Sequence, residues 1–246
     1  MEADLKIYDE LDSTNITLEE LAACGAPEGT CVIAFCQRKG QGRSGRDFYS
    51  PAGGNLYMSL LLRPQDEESC SLITVTAAVA VCAAIEEQFG ISAGIKWVND
   101  IYLGGRKVCG IVAQAHDYGG LNMHVVLGIG INIYDPDTIP EDIPCYGSLM
   151  GKSSKPEPDR RSDCIELAEK IISEFASYYE HPDWDAVSDY RRRCIVIGKR
   201  VEYLSGNGTV VGQVRGIDDD GGIIIETDGR LEKYRDGEIR IKLTDC

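Results

Sequence analysis

The segment from Gln37 to Arg63 reads QRKGQGRSGRDFYSPAGGNLYMSLLLR. An apolar run over residues 31–36 leads into this segment, and a second apolar run, Leu56 to Leu62, lies near its end. Such runs predict two strands, so the residues between them form a long loop. Long loops inside a compact domain are more often functional or disordered than idle.

The first half of the loop is basic and rich in glycine. Four cations precede the first acid, Asp47; they are Arg38, Lys39, Arg43 and Arg46. Glycine allows backbone N–H groups to approach a ligand closely, and arginine binds phosphate or carboxylate oxygens in pairs. The loop therefore predicts a bound anion, with a phosphate preferred. The alternative is a solvated loop with scattered charges.

The composition is that of an acidic globular protein. The 246 residues suit one large domain or a medium and a small one, and the net charge is −15. This charge argues against a nucleic-acid partner but permits a local nucleotide pocket. We expect no membrane span, since no run of about 18 apolar residues is present. The N-terminus has no apolar signal core, and ten cysteines without a Cys-x-x-Cys pair favour buried thiols in the cytoplasm.

Hydrophobic periodicity predicts the order of the elements. Strands are predicted over residues 5–11, 31–36, 56–62, 95–103, 106–116 and 123–133, and helices over 16–24, 70–90, 161–179 and 184–194. Residues 135–158 are rich in proline and receive only a connecting role. From Lys199 short β runs follow one another between turn residues, which is typical of a small barrel. We place the domains at residues 1–196 and 197–246.

A second candidate site is Lys96-Trp97-Val98-Asn99-Asp100, followed by Arg106 and Lys107 beyond a Gly-Gly turn that predicts a hairpin. Alone, such residues are usually surface charges. Combined with the basic loop, they supply the cations and the carboxylate that a nucleoside triphosphate with magnesium requires. The chain has no Walker motif, no Gly-x-Gly-x-x-Gly before a helix and no Gly-x-Ser-x-Gly.

Five features together resemble a known family over essentially the whole chain. They are Asp12-Ser13-Thr14-Asn15, residues 37–46, Lys96-Trp97-Val98-Asn99-Asp100, residues 104–110 and Gly128-Ile129-Gly130-Ile131-Asn132. Their order and spacing resemble those of biotin protein ligases, whose hallmark is Gly-Arg-Gly-Arg-x-Gly-Arg-x-Trp followed by Lys-Trp-Pro-Asn-Asp. The resemblance implies an α+β fold, a mixed sheet packed by helices as in class II synthetases, with a small C-terminal SH3-like β-barrel.

The resemblance also implies a two-step reaction. The biotin carboxylate attacks the α-phosphate of ATP with Mg²⁺, giving biotinyl-5′-AMP and pyrophosphate. A lysine of a biotin carboxyl carrier protein domain of a carboxylase then attacks the mixed anhydride. Cations must offset the repulsion of the first step. The matching catalytic candidates are Lys107, Arg43, Arg46, Lys96 and Asp100, of which Asp100 is also the candidate magnesium ligand or orients the incoming lysine.

The matching positions divide between the two substrates. Those expected at biotin are Ser13, Thr14, Asn15, Gln37, Gly40, Arg43, Lys107, Gly110 and Gly130. Those expected at the nucleotide are Arg43, Arg46, Phe48, Asn99, Asn132 and Lys107. The Ser-Thr-Asn cluster has an alternative use as a helix cap.

Three positions depart from the family pattern. Gln41 replaces an arginine and removes one cation, so we do not count it as catalytic. Phe48 replaces the tryptophan that covers the adenine, and Val98 replaces proline. An aromatic face survives at residue 48, with less area.

Alternatives of other kinds stay open at this point. Enzymes that activate or transfer lipoate or octanoate share the core fold but lack this arginine loop. A non-catalytic biotin-binding module would not need Lys107. Some relatives carry an N-terminal helix-turn-helix of roughly 60 residues; the chain starts almost at the first strand, so we expect a ligase without a repressor role, as a monomer or a homodimer.

We predict that the loop from Arg38 to Phe48 is mobile without ligand and becomes ordered around the adenylate. A loop with this much glycine and like charge has little to hold it when empty. Limited proteolysis should cut the loop in the apo protein and should cut it more slowly with biotin and ATP. Equal cleavage rates in the two states would contradict the prediction.

Overall fold

A seven-stranded mixed sheet organises the larger of two structural units. The computed structural model describes residues 1–64, 67–116, 123–141, 143, 145–181, 185–205, 208–235 and 240–243. The strands of the sheet are β1 (Asp4–Tyr8), β2 (Thr30–Ala34), β3 (Leu56–Leu62), β4 (Gly94–Lys96), β5 (Asp100–Leu103), β6 (Arg106–His116) and β7 (His124–Ile131). Their order is β1-β2-β3-β7-β6-β5-β4, and β1 runs parallel to β2 while the other described neighbours are antiparallel.

Helices and a second sheet complete the fold. The α-helices are α1 (Thr14–Ala23), α2 (Glu67–Phe89), α3 (Glu157–Tyr179) and α4 (Ala186–Arg193). The second sheet contains β8 (Arg200–Ser205), β9 (Gly208–Ile217), β10 (Ile223–Thr227), β11 (Arg230–Tyr234) and β12 (Arg240–Leu243), in the antiparallel order β11-β10-β9-β8-β12. The predicted α+β class is confirmed. We propose residues 1–196 and 197–246 as the two domains.

Alternation along β3 divides the large sheet into two faces, because successive strand residues point to opposite sides. Met58 and Leu60 belong to the main core, which also contains residues of α2 and α3 such as Phe175. Leu61 instead packs with Leu18 of α1 in a smaller cluster. The face that carries α1 is the one on which the candidate site lies.

The prediction of one continuous strand over residues 95–103 is wrong. β4 and β5 form a hairpin in which Lys96 lies opposite Asp100, and residues 97–99 make its turn. Trp97 and Val98 are only 6% and 4% exposed. The turn contains one turn-favouring residue, Asn99, but the buried apolar Trp97 and Val98 continue the strand pattern, so the periodicity does not reveal it.

The helix boundaries differ from the predicted ones mainly at their starts. α1 begins at Thr14 rather than at residue 16, and α2 begins at Glu67 rather than at residue 70. α3 begins at Glu157, directly after Pro156, rather than at residue 161. Proline is favoured at helix starts, a signal that apolar periodicity does not register. Of the predicted helix over 184–194, residue 184 lies outside the described residues.

Helix α2 corrects the expectation that the chain contains no apolar run of about 18 residues, the length of a membrane span. Its window Leu72–Phe89 has the length and mean hydropathy of a membrane span, and 61% of the window is buried inside the protein. Ala78 and Val81, for example, are fully buried in the main core. A helix that is enclosed on most sides by a sheet and other helices is apolar nearly all round. Packing within the fold therefore accounts for its composition.

Nine described cysteines are all free thiols. Five of them are buried, namely Cys31, Cys82, Cys109, Cys164 and Cys194. Burial raises the pKa of both Cys31 and Cys82 to about 12. These thiols therefore act as small hydrophobic side chains, as predicted.

Candidate active site

A trough without side chains crosses the α1 face of the large sheet. Gly130 of β7 pairs with Tyr57 of β3 on one side and with Gly110 of β6 on the other. The Phe48 ring from the long loop lies directly over Gly110 and Gly130, so that a Cβ at Gly130 would overlap the ring. The trough is therefore a partly covered cavity, with a volume of about 50 Å³.

Most residues predicted to bind ligand line this cavity. They are Ser13, Thr14, Asn15, Gln37, Arg43, Phe48, Asn99, Lys107, Gly110 and Gly130. Gly40 and Arg46 instead line an adjoining outer recess of about 1410 Å³, which Phe48 separates from the inner cavity. The structure thus brings together segments that lie far apart in the sequence. The roles of these residues stay predictions.

One end of the cavity carries neutral hydrogen-bonding groups. Gln37 Oε1 accepts hydrogen bonds from the Thr14 backbone N–H at 2.8 Å and from the Thr14 hydroxyl at 3.1 Å. Gln37 Nε2 donates to Ser50 Oγ at 2.9 Å. These contacts fix the orientation of the Gln37 amide, with its oxygen toward α1. This end of the cavity is therefore polar, uncharged and preorganised.

Ser59 links the polar end to the sheet, and sequence reasoning missed it. Its hydroxyl lies 2.7 Å from Thr14 Oγ1 and 2.6 Å from Asn15 Oδ1. Asn15 Nδ2 donates to Gln114 Oε1 at 2.9 Å. A serine within the otherwise hydrophobic, fully buried strand β3 is the available signal, because a buried polar group needs a partner.

Ser13 does not serve as a side-chain cap. It occupies the N-cap position of α1 with φ −159° and ψ 135°, but its hydroxyl makes no capping hydrogen bond. Its side chain is buried and lines the cavity. The structure therefore favours the ligand-facing interpretation of this cluster over the capping alternative.

The opposite end of the cavity carries two cations from separate segments. Arg43 Nη1 donates to Asn99 Oδ1 at 2.8 Å. Lys107 Nζ pairs with Asp100 Oδ1 at 2.7 Å, and both side chains are partly buried. Asn99 Nδ2 in turn donates to the carbonyl of Ile111 at 2.7 Å. The turn between β4 and β5 thus holds the loop arginine and the strand lysine at one end of one cavity.

A segment from the proline-rich connection fixes the backbone of Lys107. The Lys107 N–H donates to the Cys145 carbonyl at 2.7 Å, and the Gly147 N–H donates to the Lys107 carbonyl at 2.9 Å. Tyr146 therefore forms a parallel bridge with Lys107. The prediction of only a connecting role for residues 135–158 is incomplete, because this contact joins residues that no local sequence pattern relates.

Asn132 presents an acceptor that the described residues leave unused. Its Nδ2 donates to the Gly147 carbonyl at 3.0 Å, which fixes the amide orientation. Among the described residues, the buried Oδ1 has no hydrogen-bond partner. A buried acceptor of this kind is costly unless a ligand or water completes it. Asn132 is not among the described residues that line the inner cavity or the outer recess, and its contact to a nucleotide base stays a prediction.

Two of the four loop cations are neutralised by Asp12. Arg38 Nε and Lys39 Nζ donate to its carboxylate at 2.7 and 3.0 Å. Lys39, followed by Arg38, holds the pKa of Asp12 below its ordinary value. Because Asp12 is exposed, the pairs contribute little to stability. The two ion pairs anchor the start of the loop. The prediction that all four loop cations bind an anion therefore does not hold for Arg38 and Lys39.

Lys96 lies opposite Asp100 in the β4–β5 hairpin, and its Nζ sits 5.3 Å from the centroid of the Tyr102 ring. Neither Lys96 nor Asp100 is among the described residues that line the inner cavity or the outer recess. The role of Asp100 as a magnesium ligand stays a prediction. No cluster of three or more metal-ligating side chains occurs in the described residues.

Comparison with known proteins places this geometry in a family. The biotin/lipoate A/B protein ligase family model matches residues 8–132, and the model of the biotin protein ligase C-terminal domain matches residues 196–241. The bifunctional ligase/repressor BirA of Bacillus subtilis is 32% identical, with 95% of this chain and 73% of that protein covered. A biotin–(acetyl-CoA-carboxylase) ligase of Mycobacterium tuberculosis is 28% identical, with 96% and 88% covered.

A solved structure agrees with these relatives. The biotin protein ligase of Aquifex aeolicus in complex with biotin and ATP has a TM-score of 0.77 and 26% identity, with 98% of this chain and 99% of that chain covered. The chain belongs to the biotin/lipoate A/B protein ligase family. Within that family, its similarity across both domains is to the biotin protein ligases, as the resemblance predicted.

The close contact at Gly128 gives a testable prediction. A Cβ at this position would overlap Asn15 Oδ1, which Ser59 holds in place. We expect Gly128→Ala to lower the free energy of unfolding by about 1–3 kcal/mol, measured by urea denaturation. The matched control is Gly216→Ala in strand β9, where a Cβ meets open space. Unchanged stability of the Gly128 variant would contradict the described packing.

Proposed function

We propose that this chain activates biotin with ATP to form biotinyl-5′-AMP and then transfers biotin to a lysine of an acceptor protein. The observation that carries the proposal is one cavity with a neutral hydrogen-bonding end and a cationic end. Biotin has the matching polarity, with an uncharged ureido group at one end and a carboxylate at the other. The Aquifex aeolicus relative binds both biotin and ATP.

The neutral end is suited to the ureido group. Ser13, Thr14 and Gln37 offer hydroxyl and amide groups there, and Gly110 and Gly130 leave room for the ring and the tail. Lipoate ends in a dithiolane, which would leave these polar groups unpaired. A site built for hydrogen bonding strongly rejects an analogue that lacks the matching groups. This chemistry favours biotin over the lipoate alternative.

In the first step a biotin carboxylate oxygen forms a bond to the α-phosphorus, and the bond from that phosphorus to the bridging oxygen breaks. Pyrophosphate leaves with the electron pair. Arg43 and Lys107 offset the repulsion between the carboxylate and the phosphates and stabilise the charge that develops. Arg46, at the outer recess, holds the departing phosphates. Asn132 Oδ1 accepts from the adenine amino group, and Phe48 covers the base.

Asp100 changes partner during this step. It neutralises Lys107 at 2.7 Å in the ligand-free site. The incoming biotin carboxylate competes for the Lys107 ammonium and frees the aspartate. Asp100 is the carboxylate that would hold Mg²⁺ beside the substrate phosphates, where the ion would supply further neutralisation of their charge, since Mg²⁺ commonly takes one or two carboxylates plus phosphates. In the second step the acceptor amine attacks the acyl carbon, AMP leaves, and the amine loses a proton.

Ligand entry requires the loop to move. Ligand pockets usually have volumes of about 300–1,000 Å³, whereas the cavity under Phe48 has about 50 Å³. The Phe48 ring occupies the space over Gly110 and Gly130. It must therefore leave the glycine trough before biotin enters, which agrees with the predicted ordering of the loop around the adenylate.

We further propose that the acceptor is a biotin carboxyl carrier protein domain, as the names of the carboxylase ligases suggest. The five buried free thiols, Cys31, Cys82, Cys109, Cys164 and Cys194, support a reducing cytoplasm. The net charge of −15 supports the absence of a nucleic-acid partner. The choice between monomer and homodimer stays open.

Replacement of Lys107 tests the proposed activity. We expect Lys107→Ala to lower kcat/KM for biotin-dependent ATP–pyrophosphate exchange by about 10²–10³-fold, because one charge-stabilising donor is lost. Arg106→Ala is the matched control, since it removes the neighbouring exposed cation of the same strand. Exchange that proceeds with lipoate but not biotin would refute the substrate, and full activity of Lys107→Ala would refute the mechanism.

A further inference from the structure

The turn between β4 and β5 is held by groups from outside the cavity. Trp97 Nε1 donates a buried hydrogen bond to the Gly221 carbonyl of the C-terminal domain at 3.0 Å. The Tyr190 hydroxyl of α4 donates to the Val98 carbonyl at 3.0 Å. Tyr190 is fully buried and Trp97 is nearly so. Two consecutive turn residues are thus tied to two separate elements.

The last residue of the turn, Asn99, and the first residue of β5, Asp100, hold the two cations that line the cavity. Asn99 accepts from Arg43, and Asp100 pairs with Lys107. In these four consecutive residues, Trp97 and Val98 bond to groups outside the cavity. Asn99 and Asp100 bond to the two cations that line it. A displacement of Trp97 or Val98 must also displace Asn99 and Asp100, because the turn is short and its backbone is continuous.

The acceptor of the Trp97 hydrogen bond is itself rigid. It lies in the β9–β10 turn, where the Asp218 N–H donates to the Gly222 carbonyl at 2.7 Å and the Gly221 N–H donates to the Asp218 carbonyl at 3.0 Å. Lys233 of β11 pairs with the Asp218 carboxylate. Gly221 has a φ of +79° and lies so close to Val75 of α2 that a Cβ would crowd it. The turn thus presents a fixed carbonyl to Trp97.

We propose that Trp97 and Tyr190 are positioning residues for the adenylation step. Through Asn99 and Asp100, they hold Arg43 and Lys107 at the distance that the reacting carboxylate and α-phosphate require. Small misplacement of such groups reduces rate strongly. The C-terminal domain thereby contributes to the first chemical step through a single indole hydrogen bond. This inference rests on the proposed biotin-activating function.

The test compares three variants of the full chain. Trp97→Phe removes the indole donor, and Tyr190→Phe removes the hydroxyl donor; each keeps an aromatic ring. The matched control is Arg191→Ala, which removes a hydrogen bond of 2.8 Å to the Ile217 carbonyl. It therefore cuts a contact between the same two domains without touching the β4–β5 turn. Biotin titration gives the affinity and the number of competent sites, and single-turnover formation of biotinyl-AMP gives the rate per site.

We expect Trp97→Phe and Tyr190→Phe each to lower the adenylation rate per site by about tenfold, the equivalent of one hydrogen bond. Biotin affinity should fall less than the rate, since the groups proposed for the ureido end do not contact the β4–β5 turn while the carboxylate end depends on Arg43 and Lys107. Arg191→Ala should keep the wild-type rate per site. A wild-type rate in both aromatic variants, or an equal loss in the Arg191 variant, would overturn the proposal. If wild-type protein forms no biotinyl-AMP, the proposed function fails instead.

Discussion

The hydrogen bonds of Asn99 join the two basic segments, and the rest of the site depends on them. Its side-chain oxygen accepts from Arg43 at 2.8 Å, while its amide nitrogen and its backbone carbonyl both bond to Ile111 at 2.7 and 2.9 Å. One side chain therefore attaches the long loop to strand β6. The Arg43–Asn99 hydrogen bond holds the loop arginine at the cavity end that also carries Lys107, against the repulsion between the two cations.

The glycine trough determines which ligand can reach the cationic end of the cavity. Gly110, Gly128 and Gly130 leave the α1 face of the sheet without side chains along a line from the neutral end to Lys107. Phe48 fills part of that line in the ligand-free protein. The fold thus supplies strands beneath and the Phe48 loop above; if the loop moves as predicted, it would exclude water once the ligand has entered.

Local patterns predicted much of the architecture. The strands on either side of the long loop, the Gly-Gly hairpin and the C-terminal β runs all have periodic or turn signals, and the structure contains them. The turn at residues 97–99 is not apparent from local patterns, because the buried Trp97 and Val98 resemble strand residues. The contact between Tyr146 and Lys107, and the pairing of Asp12 with Arg38, join distant residues that neither propensity nor periodicity relates.

The central claim is that Arg43 and Lys107 act on one reacting centre. A double-mutant cycle with Arg43→Met and Lys107→Met, measured as kcat/KM for biotin-dependent pyrophosphate exchange, tests it most directly. Groups that share one site are coupled by about 0.5–3 kcal/mol, whereas distant groups add within about 0.5 kcal/mol. The account predicts that the double variant loses less than the sum of the single losses. Strictly additive losses would contradict it.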